Sequence, residues 1–266
     1  MLKDITLGQF FPGDSLLHRL DPRTKIVSVI LFVVSLFLTG SWGYLLCFLF
    51  LAWCVKTSGI APKMILKSLK PLVIILIFTG VLNMLYTPGD PLFHFWIITV
   101  TKQGVWNAFF MMFRIVMLIA ATSMLTYTTS PIALTDGLER LLSPLKRLHV
   151  PVHEFAMMMT IALRFIPTLI EETDKIMSAQ KARGADFETG SLIRRAKALV
   201  PILVPLFISA FRRADELATA MECRLYHGGE GRTRLNTLVM QRNDHIALCV
   251  VVILCAAVIA LPRLMG

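Results

Sequence analysis

The run from Ile26 to Val55 contains no Asp, Glu, Lys, Arg or His. A helix needs about 20 mostly apolar residues to cross a bilayer, and about 17 at the least. The run is therefore either one long tilted helix or a hairpin of two short helices. Turn-forming residues lie in its middle at Gly40 and Gly43, and basic residues flank both of its ends. A hairpin would place both basic groups on one side of the membrane, so we predict two helices.

Three further segments with few charges predict three more membrane helices: Pro71–Gly89, Gly104–Tyr127 and Ile246–Leu261. We expect Pro71 to begin the first of them and Pro262 to end the last. Hydrophobic residues make up 56% of the chain and charged residues 17%, whereas soluble domains have about 45–50% and about 25%. These patterns predict an all-α, multi-pass protein of the cell membrane with about five transmembrane helices.

The charged residues concentrate between Ser130 and Asn243, which hold 16 of the 27 Lys and Arg residues and 12 of the 17 acids. We therefore predict that residues 128–243 form a cytoplasmic domain of long helices between transmembrane helices 1–4 (26–127) and helix 5 (244–266). Residues 1–25 would be a cytoplasmic N-terminal segment, and the C-terminus would lie outside. In such a protein the net charge of +10 sets topology and attracts anionic lipid rather than nucleic acid.

Two apolar stretches interrupt this charged region, Val152–Ile170 and Ala198–Phe211. An uncovered apolar helix face usually marks an interface, so we expect both stretches to lie at the inner membrane surface with their apolar faces toward a partner. Methionine, which is frequent in the first stretch, suits surfaces that repack against several partners. The candidate contact residues are Met157, Met158, Phe165, Leu203 and Leu206.

Signatures of catalysis are missing from the sequence. No GxxxxGK[ST] motif occurs, and the pair His153–Glu154 is followed by Met157 where a zinc protease needs a second His. We expect no catalytic site, no cofactor and no metal. A secondary transporter or an intramembrane enzyme is the alternative, but the former needs ionisable groups at mid-membrane. Only Arg114 qualifies, and we expect it to reach the outer surface or to bond a polar group such as Asn83.

An internal repeat links two segments of the charged region. Asp174–Arg183 (DKIMSAQKAR) aligns without a gap with Asp215–Arg224 (DELATAMECR). Gly184 follows the first Arg and is a helix stop signal, so each segment would end a helix with an Arg at its tip. Small residues near both tips would let the two helices cross closely. Two matched basic tips fit a partner with two matching pockets, such as a dimer.

The sequence resembles the transmembrane T component of vitamin-type energy-coupling factor transporters. The resemblance rests on residues 8–25 (GQFFPGDSLLHRLDPRTK), on the five predicted spans and on Ala182-Arg183-Gly184, and it covers essentially the whole chain. It implies a scaffold that joins two ABC-type ATPases to a substrate-binding membrane subunit for uptake of vitamins or transition-metal ions. It also implies that both Arg tips dock in ATPase grooves. The second tip reads Cys223-Arg224-Leu225, without the small flanking residues, so its helix ending is expected to differ.

Overall fold

The computed structural model describes residues 10–95, 98–187, 191–228 and 238–265. The chain divides into two compact units. The first, here called the bundle unit, comprises Gly8–Leu138 and Leu238–Gly266. The second, here called the helix-pair unit, comprises Glu139–Thr237 together with Met1–Leu7. The described residues are overwhelmingly helical, as the all-α prediction requires.

Among the described residues, the bundle unit contains these helices and one β-hairpin: α1 Leu16–Arg19, α2 Pro22–Leu38, α3 Ser41–Ser58, α4 Pro62–Leu69, α5 Val73–Tyr86, β1 Pro91–Phe95, β2 Ile98–Thr101, α6 Lys102–Thr128 and α10 Arg242–Met265. Helix α7, Pro131–Leu142, crosses the boundary between the units. The helix-pair unit contains α8, Val152–Ala182, and α9, Leu192–Glu222.

The predicted hairpin in the first apolar run is confirmed by a break between α2 and α3 at Thr39 and Gly40. Helix α2 begins at Pro22, and the Asp21 carboxylate accepts a hydrogen bond from the backbone N–H of Arg23, as an N-cap residue does. Helix α3 ends at Gly59, which has a φ of 71°, a conformation that glycine adopts without strain. The two helices have 17 and 18 residues, so both are near the lower length limit for a span.

Contacts within the bundle unit show which helix ends lie together. The backbone N–H of Asp21 at the start of α2 donates to Asp244 at the start of α10. Lys25, also near the start of α2, donates to the carbonyl oxygen of Thr128 at the end of α6. The Ser68 hydroxyl in α4 bonds the Tyr127 hydroxyl. The start of α2, the short helix α4 and the start of α10 therefore lie at the end of the bundle where α6 finishes, as alternating passes require.

Two local predictions in the bundle unit were wrong. Pro71 lies in a 3₁₀ turn, Lys70–Leu72, that joins α4 to α5, so this helical stretch begins earlier, at Pro62. Helix α10 continues to Met265, because the fixed φ of Pro262 is compatible with a helix and only one N–H is lost. The segment between α5 and α6 contains an antiparallel β-hairpin, β1 with β2.

Four helices within the described ranges are long and apolar enough to cross a membrane: Pro62–Tyr86, Lys102–Thr128, Val152–Ala182 and Arg242–Leu261. Trp42–Ser58 is a shorter apolar helix. Val152–Ala182 meets this criterion even though the sequence prediction places it in the cytoplasm. Charged residues are concentrated in its C-terminal half: Glu171, Glu172, Asp174, Lys175 and Lys181.

Candidate functional site: two helices with arginine ends

Helix α8 ends in the hydrogen-bond pattern known as a Schellman motif. The N–H of Gly184 donates to the carbonyl oxygen of Lys181 at 3.0 Å, and the N–H of Ala185 donates to that of Gln180 at 3.0 Å. Gly184 has a φ of 86°, in the left-handed region that this motif needs. Arg183 is the last residue before the reversal and is exposed. The predicted helix stop is therefore found where the Gly184 signal placed it.

Helix α9 ends in the same pattern, so the expectation that its ending would differ was wrong. The N–H of Leu225 donates to Glu222 at 2.9 Å, and the N–H of Tyr226 donates to Met221 at 3.1 Å. Leu225 takes the position of Gly184, with a φ of 58°. A non-glycine residue in that region costs roughly 1–2 kcal/mol, so the fold tolerates strain to keep this ending. Arg224 then occupies the position of Arg183 and is likewise exposed.

An ion pair joins α8 to α9 within the helix-pair unit. Arg213 contacts the Glu172 carboxylate at 2.5 Å, and the Ser209 hydroxyl donates to its other oxygen at 2.8 Å. The Ser209 hydrogen bond, followed by the Arg213 guanidinium, holds the pKa of Glu172 below its ordinary value. Glu172 is therefore ionised at neutral pH. A second contact, Gln180 to the carbonyl oxygen of Pro201 at 3.5 Å, shows that the helices run antiparallel.

This ion pair connects equivalent positions of the internal repeat, because the shift along the chain from Glu172 to Arg213 is the same as the shift from Asp174 to Asp215. Arg183 follows Glu172, and Arg224 follows Arg213, at the same spacing of roughly three helical turns, or about 16 Å along the helix axis. Since the helices are antiparallel, Arg183 and Arg224 extend in opposite directions from the ion pair. The helix-pair unit thus has an approximate twofold symmetry with one arginine at each extremity.

The small residues near the two tips do not form this crossing, contrary to the sequence prediction. The Glu172, Ser209 and Arg213 side chains connect the helices instead. The sequence analysis did not predict this contact, although Glu172 and Arg213 occupy equivalent positions of the internal repeat. The small side chains near the tips are exposed, which leaves the backbone near each tip open to close approach by another molecule. They are Ser178, Ala179 and Ala182 near the first tip, and Ala218, Thr219 and Ala220 near the second.

The apolar contact candidates differ in exposure within the helix-pair unit. Met158 and Leu203 are exposed, at 58% and 45%, whereas Met157, Phe165 and Leu206 are partly buried. Several large apolar side chains beside Leu203 on α9 are exposed as well: Val200, Val204, Phe207, Ile208 and Phe211. The structure therefore leaves a continuous apolar surface on α9 uncovered by the described residues of its own unit.

Arg114, the intramembrane cation, bonds Tyr44 rather than Asn83. Its Nε donates to the Tyr44 hydroxyl oxygen at 2.7 Å, and its Nη2 donates to the same atom. The guanidinium also lies 5.3 Å from the centroid of the Phe37 ring, a cation–π distance. Asn83 instead donates to the carbonyl oxygen of Thr79. The sequence did not reveal this partner because α3 and α6 are distant in the chain.

Removing the hydroxyl that accepts these bonds is expected to destabilise the bundle unit. Tyr44→Phe leaves the guanidinium without its acceptor, which costs about 1–3 kcal/mol. Adding Arg114→Met to this variant should restore stability, because it removes the uncompensated charge altogether. Thermal unfolding of the purified protein measures both effects, with Tyr86→Phe at an exposed position as the control. An unchanged midpoint for Tyr44→Phe would contradict this account of Arg114.

Metal-binding geometry is not found among the described residues, which contain no group of three or more His, Cys, Asp or Glu side chains able to hold an ion. His153, which the failed zinc-protease pattern contains, has its Nδ1 atom 3.1 Å from Glu139 Oε1. All five cysteines are free; Cys47 is buried, and Cys223 and Cys249 are exposed.

Comparison with known proteins yields matches along nearly the whole chain. A family model described as cobalt transport protein, CbiQ, matches residues 13–235. The energy-coupling factor transporter transmembrane protein EcfT of Ruminiclostridium cellulolyticum is 54% identical over 254 residues, covering 95% of each chain. The protein of the same name from Clostridium kluyveri is 54% identical and covers 98% of each chain. That of Bacillus subtilis is 48% identical, covering 96% of this chain and 97% of its own.

Proposed function

The chain belongs to the family of energy-coupling factor transporter transmembrane proteins, and on this premise we propose that it couples two ABC-type ATPase subunits to a substrate-binding membrane subunit. In this role it is the scaffold of an importer for vitamins or other micronutrients. The substrate site lies on the substrate-binding subunit, and ATP hydrolysis belongs to the ATPase subunits. This chain transmits movement between them.

The symmetry of the helix pair is the observation that supports this proposal most directly. Arg183 and Arg224 occupy identical positions in two matching helix endings, at equal distances along the helix from the Glu172–Arg213 ion pair. A surface with two matched points suits a partner that presents the same pocket twice, as a dimer does. Two ATPase subunits related by a twofold axis would offer one pocket to each arginine.

The chemistry of each tip fits such a docking site. A guanidinium presents five N–H donors in a planar fork, and its bonds to carboxylate or carbonyl oxygens are stronger than those between neutral groups. Both arginines are exposed and make no ion pair within the described part of the chain. The exposed small residues beside each tip let the rim of a groove approach the backbone.

Coupling then proceeds through the crossed helices. ATP binding draws the two ATPase subunits together, and Arg183 and Arg224 follow the grooves that hold them. Because α8 and α9 are connected at Glu172, Ser209 and Arg213, movement of the tips changes the angle at which the helices cross. The apolar surface on α9 that includes Leu203, and the exposed Met158 on α8, change position with that angle, and this moves or releases the substrate-binding subunit.

The proposed orientation places the N-terminus and the helix-pair unit in the cytoplasm and the β-hairpin outside. In a cysteine-free background, a membrane-impermeant thiol reagent should label a cysteine at Asp90, next to the hairpin, and at Gly266, which lies outside the described residues. It should not label a cysteine at Lys63, at the start of α4, or at Lys175 in α8, until the membrane is permeabilised. Labelling of Lys175→Cys from outside would contradict a cytoplasmic helix pair.

Co-purification tests the proposal as a whole. The tagged full chain, extracted from membranes in mild detergent, should bring with it two ATPase chains and a small membrane protein. A secondary transporter would be recovered without ATPase chains and would support uptake by itself. Recovery without ATPase chains, from cells that express the candidate partners, would contradict the proposed scaffold role.

A further inference from the structure

We propose that the bundle unit binds one anionic phospholipid in a cavity at the end where α2 and α10 begin. The cavity has a volume of about 420 Å³, within the range of about 300–1,000 Å³ that is usual for small-molecule sites. Helix α1 and the adjoining ends of α2, α3, α6 and α10 enclose it, and all belong to the bundle unit. The coupling function proposed above does not use this cavity.

The interior of the cavity is apolar. Aromatic and branched aliphatic side chains from three helices form most of its wall: Phe32, Phe50, Leu51, Trp53, Val250 and Val251. Moving hydrocarbon from water onto such a surface is favourable in proportion to the apolar area covered. A wall of this kind suits an acyl chain and gives a soluble metabolite little to bind.

Two cations, Arg19 and Lys25, line the same cavity. Lys25 is only 7% exposed, and its Nζ donates to the carbonyl oxygens of His18 at 3.1 Å and Thr128 at 2.9 Å. An ammonium group has three hydrogens, so two fix its position and the third can bond a ligand oxygen. Arg19 is exposed at the rim and can contact the same headgroup. The hydroxyls of Ser28 and Thr57 add further polar groups.

The one carboxylate in the described wall, Asp244, offsets only one of these two positive charges, so the wall keeps a net positive charge. Its two oxygens accept hydrogen bonds from the backbone N–H groups of Asp21 at 2.7 Å and Gln241 at 2.8 Å. Asp21 in turn pairs with Arg23 at 2.9 Å. These hydrogen bonds hold the starts of α2 and α10 together, and the two cations Arg19 and Lys25 outnumber the one carboxylate in the described wall.

A phospholipid can bind the apolar wall with an acyl chain and the two cations with its headgroup. Basic pockets between membrane helices bind anionic headgroups, and each Lys or Arg near an anionic surface changes binding by about fivefold. The cavity lies at the end of the bundle flanked by basic residues, where headgroups lie. We therefore assign it to a phospholipid whose headgroup has a net negative charge, such as phosphatidylglycerol, with one acyl chain between α2, α3 and α10.

Fluorescence quenching of Trp53 tests this assignment, since Trp53 lines the cavity. The full chain, with Trp42, Trp96 and Trp106 replaced by Phe, is reconstituted with brominated phosphatidylglycerol or with brominated phosphatidylcholine of identical chains. Phosphatidylglycerol should quench with an apparent affinity about 5- to 25-fold higher, as one or two cations predict. Arg19→Gln should reduce this preference about fivefold. Lys56→Gln, which removes an exposed cation at the same end of α3 but outside the cavity, should leave it unchanged.

Occupancy of the cavity itself is tested by Ala247→Phe, which fills the space from α10 without changing charge. It should abolish the preference while Trp53 remains accessible to bulk lipid. Because Lys25→Met would also remove two bonds to carbonyl oxygens, the test depends on Arg19 and Ala247 instead. Equal quenching by both lipids, or equal losses from Arg19→Gln and Lys56→Gln, would overturn the proposal. Quenching that appears only after deletion of residues 1–9 would also overturn it, because that segment would then be the occupant.

Discussion

Replacing Arg183 and Arg224 together by Glu is expected to abolish nearly all recovery of ATPase subunits with the chain, and with it uptake. A charge-assisted hydrogen bond contributes roughly 1.5–3 kcal/mol, so either single replacement should weaken assembly by about ten- to a hundredfold. Loss of both should exceed the effect of either alone, because one bound tip raises the effective concentration of the other at its groove. Co-purification and uptake are measured for both single variants and the double variant at equal membrane levels.

Two conservative variants separate the chemistry of the tips from their geometry. Arg183→Lys keeps the charge but loses the planar fork, so it should restore assembly only in part. Leu225→Gly removes a side chain but keeps the helix ending, because glycine adopts the φ of 58° more readily than leucine. It should leave assembly intact. Arg212→Glu reverses an exposed charge on the same helix, remote from its Arg224 tip, and serves as the matched control.

A purely structural role for the tips predicts a different pattern. A cation that only complements the dipole of an exposed helix end contributes about 0.3–1 kcal/mol, and lysine replaces arginine without loss. Near-normal uptake by the double Glu variant would therefore show that the tips are not the coupling elements. In that case the repeat would serve only to build the crossing at Glu172 and Arg213.

Local signals explain which helix boundaries could be predicted from the sequence. The break at Gly40 and the stop at Gly184 depend on residues that favour those conformations by themselves. Leu225 gives no such signal, because leucine rarely adopts a positive φ. Its conformation follows from the capping bonds to Glu222 and Met221. Pro262 shows the reverse case, since a residue that usually ends helices is accommodated within α10.

Contacts between distant segments explain most of what the sequence did not reveal. Tyr44 and Arg114 belong to different helices, α3 and α6, and nothing in either segment identifies the other. The cavity beside Lys25 requires α10 to lie against α2 and α3, although α10 follows the whole charged region. The Glu172–Arg213 pair is the exception, because the two residues are as far apart in the chain as the two copies of the repeat. If the repeat had been interpreted as an approximate twofold symmetry, it would have suggested this contact.

Introducing a negative charge at an exposed apolar position of the helix pair is expected to weaken binding of the substrate-binding subunit but not of the ATPase subunits. Met158→Asp and Leu203→Asp each place a carboxylate where we propose that the substrate-binding subunit packs. Burying a charge without a partner costs several kcal/mol, so recovery of that subunit should fall by more than about tenfold. The ATPase subunits should remain bound, because both substitutions leave Arg183 and Arg224 unchanged.

The choice of position decides whether this experiment can be interpreted. Leu206 is partly buried within the helix-pair unit, so Leu206→Asp would also disturb the packing of that unit, whereas Met158 and Leu203 are exposed. Met158→Leu and Leu203→Met keep volume and polarity, should cost little, and serve as controls for side-chain identity. Equal loss of both partner classes from the Asp variants would indicate unfolding of the helix pair. Retention of both classes would mean that the substrate-binding subunit contacts the chain elsewhere.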